Sequence, residues 1–256
     1  MQFFKRILKQ PDLAVTEVAR EERRSDRRHA INPDFPLQSV LSFIGRDETG
    51  AQLSSQRGGW NWKGRLVDFS ELGARMRLAP SVLAASGDFC DLKLRLEGFA
   101  LVVPCRITNM RVQQEGVFFG LKHEITDEST HRAYRQLLEI VALGAALKPE
   151  FKKPRPDDSG YLLERYASDL PSRLSVWRHQ TGQAVTAFEF LLKDCLVRAA
   201  EGHRMEYLAG ADAAAARPAS PTKATEIHRL FHWVVSNIAP TVPADVRKFL
   251  QGYAAT

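Results

Sequence analysis

Residues 64–74 read GRLVDFSELGA, a β-strand that runs into a tight turn and starts again after it. The turn carries a carboxylate, a hydroxyl and a glycine at fixed spacing, Asp68, Ser70 and Gly73. Strand alternation places Asp68 and Ser70 on the same side of the chain. Gly73 permits a positive φ or a close approach by a ligand. The stretch therefore predicts two antiparallel strands with a polar site where they meet.

Short segments with period-two patterning surround this turn and are separated by glycine turns. They span residues 37–44, 60–69, 74–78, 89–96, 99–113 and 117–125. Such a series predicts an antiparallel sheet or a small barrel. The period then changes, because apolar residues recur at helical spacing between Asp127, an acceptable N-cap, and Leu147. We expect a helix there that covers one open end of the barrel.

Other segments flank this region. Residues 1–22 read as an N-terminal arm, and the proline-rich stretch 148–160 as a linker. Long apolar stripes at helical spacing follow over residues 161–256. They predict a separate all-α region, which we expect to serve as an output or oligomerisation module.

An arginine-rich leader precedes the first strand, since residues 23–28 read RRSDRR. Arg24 and Arg28 are four apart, so they share a face on a helix or form a fork in a turn. Guanidinium groups present paired donors that match phosphate oxygens or the O6 and N7 edge of guanine. A carboxylate such as Asp68 can in turn accept from N1–H and N2–H₂ of guanine. The two segments together favour a ligand that carries both phosphates and a base.

The same two segments resemble the signature of the PilZ domain, the bacterial receptor module for cyclic di-GMP. Its positions fall on Arg24, Arg28, Asp68, Ser70 and Gly73. The similarity continues through residues 64–74 and a closing strand at 118–122, and covers roughly residues 22–127. The resemblance implies a six-stranded β-barrel followed by a helix, in agreement with the strands read from the pattern.

The resemblance also implies roles for individual residues. It assigns the arginines to the phosphates and guanine edges of cyclic di-GMP and the turn residues to a guanine. Arg23 matches a position that is associated in the family with binding an intercalated pair of these molecules. The expected ligand-binding residues are Arg23, Arg24, Arg28, Asp68, Ser70 and Gly73.

The predicted fold class is therefore α+β, with a PilZ-like antiparallel barrel and its trailing helix over residues 23–147 and the all-α region after it. We expect a non-enzymatic effector in bacterial second-messenger signalling. A ligand that bridges the leader and the barrel would order the leader, and the resulting conformational change would regulate a protein partner in motility, adhesion or biofilm control.

Composition leaves two alternatives open. A net charge of +6 over 256 residues favours anionic partners, which include nucleic acid. One alternative is thus a nucleic-acid-binding regulator that uses the basic arm, and another is a PilZ-like scaffold that acts only through protein contacts. Contacts to a phosphate backbone need only positive charge, so Asp68 would be superfluous in the first alternative.

Other chemistry finds little support in the sequence. It contains no nucleophile motif or phosphate-binding glycine loop, so we expect no catalytic residues. His228 and His232 lie one helical turn apart, but no third ligand accompanies them, and we expect neither metal nor cofactor. No apolar run reaches the roughly 18 residues of a membrane span, and three scattered cysteines fit a reducing compartment. We expect a cytoplasmic protein; the protein partner and a homodimer are left open.

Overall fold

The structure is a computed structural model that describes residues 27–43, 61–82, 84–181, 184–210 and 215–255. The chain divides into two compact units, Met1–Leu138, here called the barrel unit, and Glu139–Thr256, here called the C-terminal unit. The predicted arm, residues 1–22, lies outside the described residues, as do Arg23 and Arg24.

Seven antiparallel strands build the described part of the barrel unit. They are β1 (His29–Ala30), β2 (Gln38–Phe43), β3 (Asn61–Phe69), β4 (Gly73–Leu78), β5 (Phe89–Leu96), β6 (Phe99–Gln113) and β7 (Gly116–His123). The order in the sheet is β1-β3-β2-β5-β6-β7-β4, and a further pairing of β3 with β4 closes it. The six strands from β2 to β7 thus form a closed barrel, and the short β1 adds to β3. The predicted α+β class and six-stranded barrel are confirmed.

Alternation along the strands creates the barrel core. In β5, Cys90, Leu92 and Leu94 are at most 1% exposed, whereas the residues between them are partly accessible to solvent. β6 repeats the pattern, with Val103 and Ile107 buried. Full burial of each such aliphatic side chain contributes roughly 1.5–3 kcal/mol, so the period-two pattern fixes which face of each strand turns inward.

Helix α1 (Glu128–Ala145) follows the barrel, as the sequence predicts. Asp127 begins it, because its Oδ1 accepts hydrogen bonds from Ser129 Oγ at 2.7 Å and from Thr130 N at 2.8 Å. The Ser129 hydrogen bond, with those from Thr130, lowers the pKa of the Asp127 carboxyl to about 2. The first part of α1 belongs to the barrel unit and its last turns to the C-terminal unit.

The C-terminal unit is not all-α, and that prediction was wrong for residues 161–218. Its strands are β8 (Lys148–Pro149), β9 (Arg155–Pro156), β10 (Leu162–Ala167), β11 (Ser172–Arg178), β12 (Val185–Leu192), β13 (Cys195–Ala200), β14 (Glu206–Ala209) and β15 (Arg217–Pro218). They form an antiparallel sheet in the order β15-β14-β13-β12-β11-β10-β8, with β9 also paired to β10. Two helices follow, α2 (Pro221–Ser236) and α3 (Ala244–Ala254), and both were expected from the sequence.

The error has a physical cause. Apolar residues occur on both faces of β12 and β13, so periods of 2 and 3.6 match the sequence about equally well. The turn between these strands is Lys193-Asp194, without glycine, and Lys193 adopts the left-handed region at φ 60°. A hairpin was therefore hidden inside an apparent amphipathic helix. The segment predicted as a linker, residues 148–160, contributes β8 and β9 to the same sheet.

Candidate functional site

The turn between β3 and β4 is closed by Ser70 and Gly73. Ser70 N donates to Gly73 O at 2.8 Å, and Ser70 Oγ donates to the same oxygen at 3.2 Å. The Ser70 side chain is fully buried. The hydroxyl that we expected at the ligand therefore lies inside the turn, where it helps to hold the turn's shape.

Gly73 is required by a close backbone approach. It lies outside the left-handed region, so positive φ is not the reason for a glycine here. A Cβ atom at this position would lie 2.3 Å from Leu121 O of the neighbouring strand β7. The approach that Gly73 permits is thus that of β7, which fixes where the turn emerges from the barrel.

Asp68 lies between two arginines. Its Oδ1 is 3.1 Å from Arg28 Nη1, and its Oδ2 is 2.8 Å from Arg75 Nη2. The Asp68 side chain is 12% exposed, whereas those of Arg28 and Arg75 are 47% and 50% exposed. A nearly buried carboxylate is thus bracketed by two guanidinium groups that solvent can reach. Such pairs form charge-assisted hydrogen bonds, the stronger class in proteins.

The end of the leader is part of this arrangement. β1 pairs with the end of β3, with His29 opposite Phe69 and Ala30 opposite Asp68. This pairing brings Arg28 to a carboxylate 40 residues along the chain. Arg28, the last residue of the leader, is therefore anchored to the barrel.

His29 adds no full charge to the site at neutral pH. Burial, and secondarily the positive charge of Arg27, lower the pKa of His29 below its usual value of 6.5. The positive charge beside Asp68 accordingly comes from Arg28 and Arg75.

Sequence reasoning missed Arg75, although a signal for it existed. A four-residue turn from Ser70 to Gly73 pairs Phe69 with Ala74, and hence Asp68 with Arg75, as the structure has it. Counting outward from the turn would have placed this arginine opposite the carboxylate.

Arg75 also borders a polar depression of about 400 Å³ on the barrel surface. The depression follows β4, β6 and β7, and its lining residues are Arg75, Asn109, Arg111, Gln113 and Phe118. Arg75 thus connects the Asp68 carboxylate to a wider surface with amide and guanidinium donors.

No metal site is evident in the part of the chain that the structure describes. Within it, no group of three or more His, Cys, Asp and Glu side chains is placed to hold an ion. His228 Nδ1 lies 2.7 Å from the Tyr207 hydroxyl, and His232 Nδ1 lies 3.2 Å from Ala254 O. The histidine pair noted in the sequence thus makes packing contacts within the C-terminal unit.

Comparison with known families agrees with the geometry. Residues 22–141 match the PilZ domain family, and the match spans β1 to β7 and most of α1. This segment is a PilZ domain. PilZ domains are cyclic di-GMP receptors and generally not enzymes, so the match supports a cyclic di-GMP-binding effector in general terms. A search among curated proteins found no match to the chain. Of the helices that the structure describes, none is long and apolar enough to span a membrane.

Proposed function

We propose that this protein is a non-enzymatic effector that binds cyclic di-GMP at Asp68 and its flanking arginines and thereby regulates a protein partner. The observation that carries the proposal is the Asp68 carboxylate, held between half-exposed Arg28 and Arg75 at a barrel turn. Cyclic di-GMP offers the complementary set, since its phosphates suit guanidinium groups and its guanines present paired N–H donors to a carboxylate.

Binding would proceed by exchange of partners. Both carboxylate oxygens of Asp68 already accept from arginines, so a guanine must displace or share these contacts. An arginine that moves to a phosphate keeps a charged partner, and Asp68 gains N1–H and N2–H₂ in return. Each well-made charged hydrogen bond contributes roughly 1.5–3 kcal/mol, which makes the exchange favourable only if both halves of it occur.

The remaining expected residues divide into two groups. Arg23 and Arg24, on the leader, would add further phosphate contacts, and Arg23 would favour an intercalated pair of ligand molecules. Ser70 and Gly73 would act by shaping the turn that presents Asp68, because Ser70 is buried and Gly73 faces the β7 backbone. The depression beside Arg75 would hold the part of the ligand that extends away from Asp68.

The consequence of binding would be regulatory. We infer a cytoplasmic protein whose C-terminal unit contacts a protein partner, or a second copy of the chain, in control of motility, adhesion or biofilm formation. The C-terminal unit is the candidate for this output because it forms a compact unit of its own.

Isothermal titration calorimetry of the full chain tests the proposal. We expect micromolar or tighter binding of cyclic di-GMP and at least tenfold weaker binding of cyclic di-AMP, whose adenines lack the N1–H and N2–H₂ donors. Arg28→Ala should weaken cyclic di-GMP binding at least tenfold, and micromolar binding that survives it would refute the role of Arg28. Two ligands per wild-type chain, reduced by Arg23→Ala, would support the intercalated pair.

The same protein titrated with duplex DNA addresses the alternative. Steep salt dependence with DNA together with no response to cyclic di-GMP would favour the nucleic-acid reading. Cyclic di-GMP binding with weak or absent DNA binding supports the effector.

A further inference from the structure

The turn between β3 and β4, residues 70–73, is here called the ligand turn, and the first half of α1 holds it in place. Tyr134 Oη donates to Ser70 O at 2.7 Å, and the Tyr134 side chain is fully buried. Its ring packs edge-on against Phe69 at 5.6 Å and against His123 at 4.4 Å between centroids. The backbone of the turn is therefore fixed by a hydrogen bond from a helix residue that has no freedom to move alone.

A second, electrostatic contact accompanies it. Glu71 Oε1 lies 3.8 Å from His131 Nε2 and 3.7 Å from Arg135 Nε. Both partners are on α1, within one turn of Tyr134. Two successive residues of the turn, Ser70 and Glu71, thus contact the same stretch of helix.

The last turn of α1 is held by hydrogen bonds within the C-terminal unit. The final carbonyls of a helix have no partners within the helix. Here Leu143 O accepts from Ser172 Oγ at 2.9 Å, and Gly144 O accepts from Ala239 N at 3.1 Å. Groups from β11 and from the segment after α2 therefore complete the hydrogen bonding of the helix end.

Gly144 brings this end into backbone contact with α2. A Cβ atom at Gly144 would lie 2.6 Å from Val234 O and 2.9 Å from Asn237 O. Asn237 Nδ2 also donates to Val141 O at 3.0 Å. Any shift of the last turn of α1 must accordingly be accommodated by α2 and β11.

We propose that α1 couples the ligand turn to the C-terminal unit, so that cyclic di-GMP at Asp68 alters the packing around Ser172 and Asn237. This deepens the proposed function and rests on it. Tyr134 and Gly144 both belong to α1. Coupling between two sites is reciprocal, so packing at the far end of α1 must also set ligand affinity at the turn.

The direction of the effect follows from preorganisation. With both ends of α1 held, Ser70 O is held as well, and the turn presents Asp68 without further ordering. Loosening the far end lets the turn fluctuate, and the ligand must then order it on binding. Substitutions at the far end of α1 should therefore weaken binding although they lie outside the binding site.

Calorimetric titration of full-length variants with cyclic di-GMP tests this. Ser172→Ala removes the hydroxyl that caps Leu143 O and should weaken binding about fivefold, at the lower end of typical coupling between sites. Tyr207→Phe is the matched control, since it also removes one hydroxyl in the C-terminal unit, whose partners are His228 and Met205 and not residues of α1. It should stay within twofold of the wild type. Gly144→Ala provides a second perturbation of the same helix end.

Tyr134→Phe tests whether the coupling passes through the hydrogen bond between α1 and the ligand turn. It removes the donor to Ser70 O but keeps the ring, and it should also weaken binding about fivefold. If both substitutions act through α1, the double variant with Ser172→Ala should bind no more than twofold more weakly than Tyr134→Phe alone. Independent effects would multiply to about 25-fold, which would overturn the coupling. So would Ser172→Ala and Gly144→Ala variants that both bind like the wild type.

Hydrogen exchange on the wild type supplies the second readout. Saturating cyclic di-GMP should slow amide exchange in peptides that cover residues 68–75 and also in those that cover 141–147 and 172–178. Protection confined to 68–75 refutes the coupling and leaves the proposed function intact. Absence of calorimetric binding to the wild type refutes the proposed function and this inference with it.

Discussion

Asp68 and Arg75 lie directly opposite each other on β3 and β4, and their side chains form an ion pair with 2.8 Å between Oδ2 and Nη2. This arginine is held by the hairpin itself, whereas Arg28 reaches the same carboxylate from the leader. The site thus has one cation fixed by strand register and one supplied by a separate segment. That asymmetry predicts that Arg75 sets the position of Asp68 and that Arg28 responds to the ligand.

Arg75→Ala should weaken cyclic di-GMP binding at least tenfold, because a charged hydrogen bond to the ligand and the orientation of Asp68 are lost together. Arg95→Ala is the matched control, since it removes the same charge from an exposed position on β5, which pairs with β2 and β6. Calorimetry of both variants at one salt concentration checks this. Equal weakening would mean that net charge, and not the Asp68 pair, determines affinity.

Arg28→Lys should also fail to bind with wild-type affinity, although the charge is kept. A planar guanidinium can contact Asp68 and a phosphate through different N–H groups, whereas an ammonium is a point charge on a flexible stem. We expect a loss of about tenfold in calorimetry, and the same for Arg24→Lys on the leader. Arg204→Lys, at an exposed position in the C-terminal unit, controls for the effect of replacing an arginine by a lysine. Full affinity in Arg28→Lys would show that only charge matters at this position.

The spacing of residues along the sequence predicts which segments form the site, but not how each side chain is placed in it. The paired segments predicted that Arg28 and Asp68 contribute to one ligand site, which stays a prediction; the direct hydrogen bond between their side chains was not predicted. The buried state of Ser70 was not expected, because alternation assigns it the same side as Asp68, whereas the turn draws its hydroxyl to Gly73 O. Turn geometry overrides strand alternation at the residue where the strand ends.

The barrel and the C-terminal unit show why one fold was predicted and the other was not. β5 alternates buried leucines with charged residues, a pattern that only a strand with one inward face can satisfy. β13 is buried on both faces through Cys195, Leu196 and Val197, so its sequence carries no period at all. Only the flanking turns can then distinguish a strand from a helix, and the turn Lys193-Asp194 contains no glycine to indicate a hairpin.

Gly73→Ala should destabilise the barrel unit, by about 1–3 kcal/mol if the strands shift to accommodate the methyl group. Its Cβ would lie 2.3 Å from Leu121 O, a backbone atom that cannot rotate away. Gly252→Ala has the opposite expectation, because nothing lies within 4 Å of its Cβ and alanine is favoured in α3 by roughly 1 kcal/mol. Thermal unfolding followed by circular dichroism compares the two. A neutral Gly73→Ala variant would contradict the close approach of β7 to the turn.

Arg178 provides a test of the sheet in the C-terminal unit. Its side chain is 8% exposed, with Nε 2.9 Å from Glu164 Oε1 and Nη1 paired to Asp245 on α3. Arg178→Ala should cost about 3–5 kcal/mol, because Glu164, 15% exposed, is left as a nearly buried charge without its cation. The double variant with Glu164→Gln should recover much of this loss.

The exposed pair Arg198 and Glu206 is the matched control, with side chains 50% and 58% exposed. Arg198→Ala removes the same type of ion pair but should cost less than about 1 kcal/mol, because solvent replaces the lost partner. Urea unfolding of both variants, followed by circular dichroism, gives the comparison. If residues 161–208 formed helices, strand pairing would not bring Glu164 and Arg178 together with Asp245. The two substitutions would then lower the free energy of unfolding by the same amount. A large difference between them is therefore the expected signature of β10 paired with β11 and of the Arg178 link to Asp245 on α3.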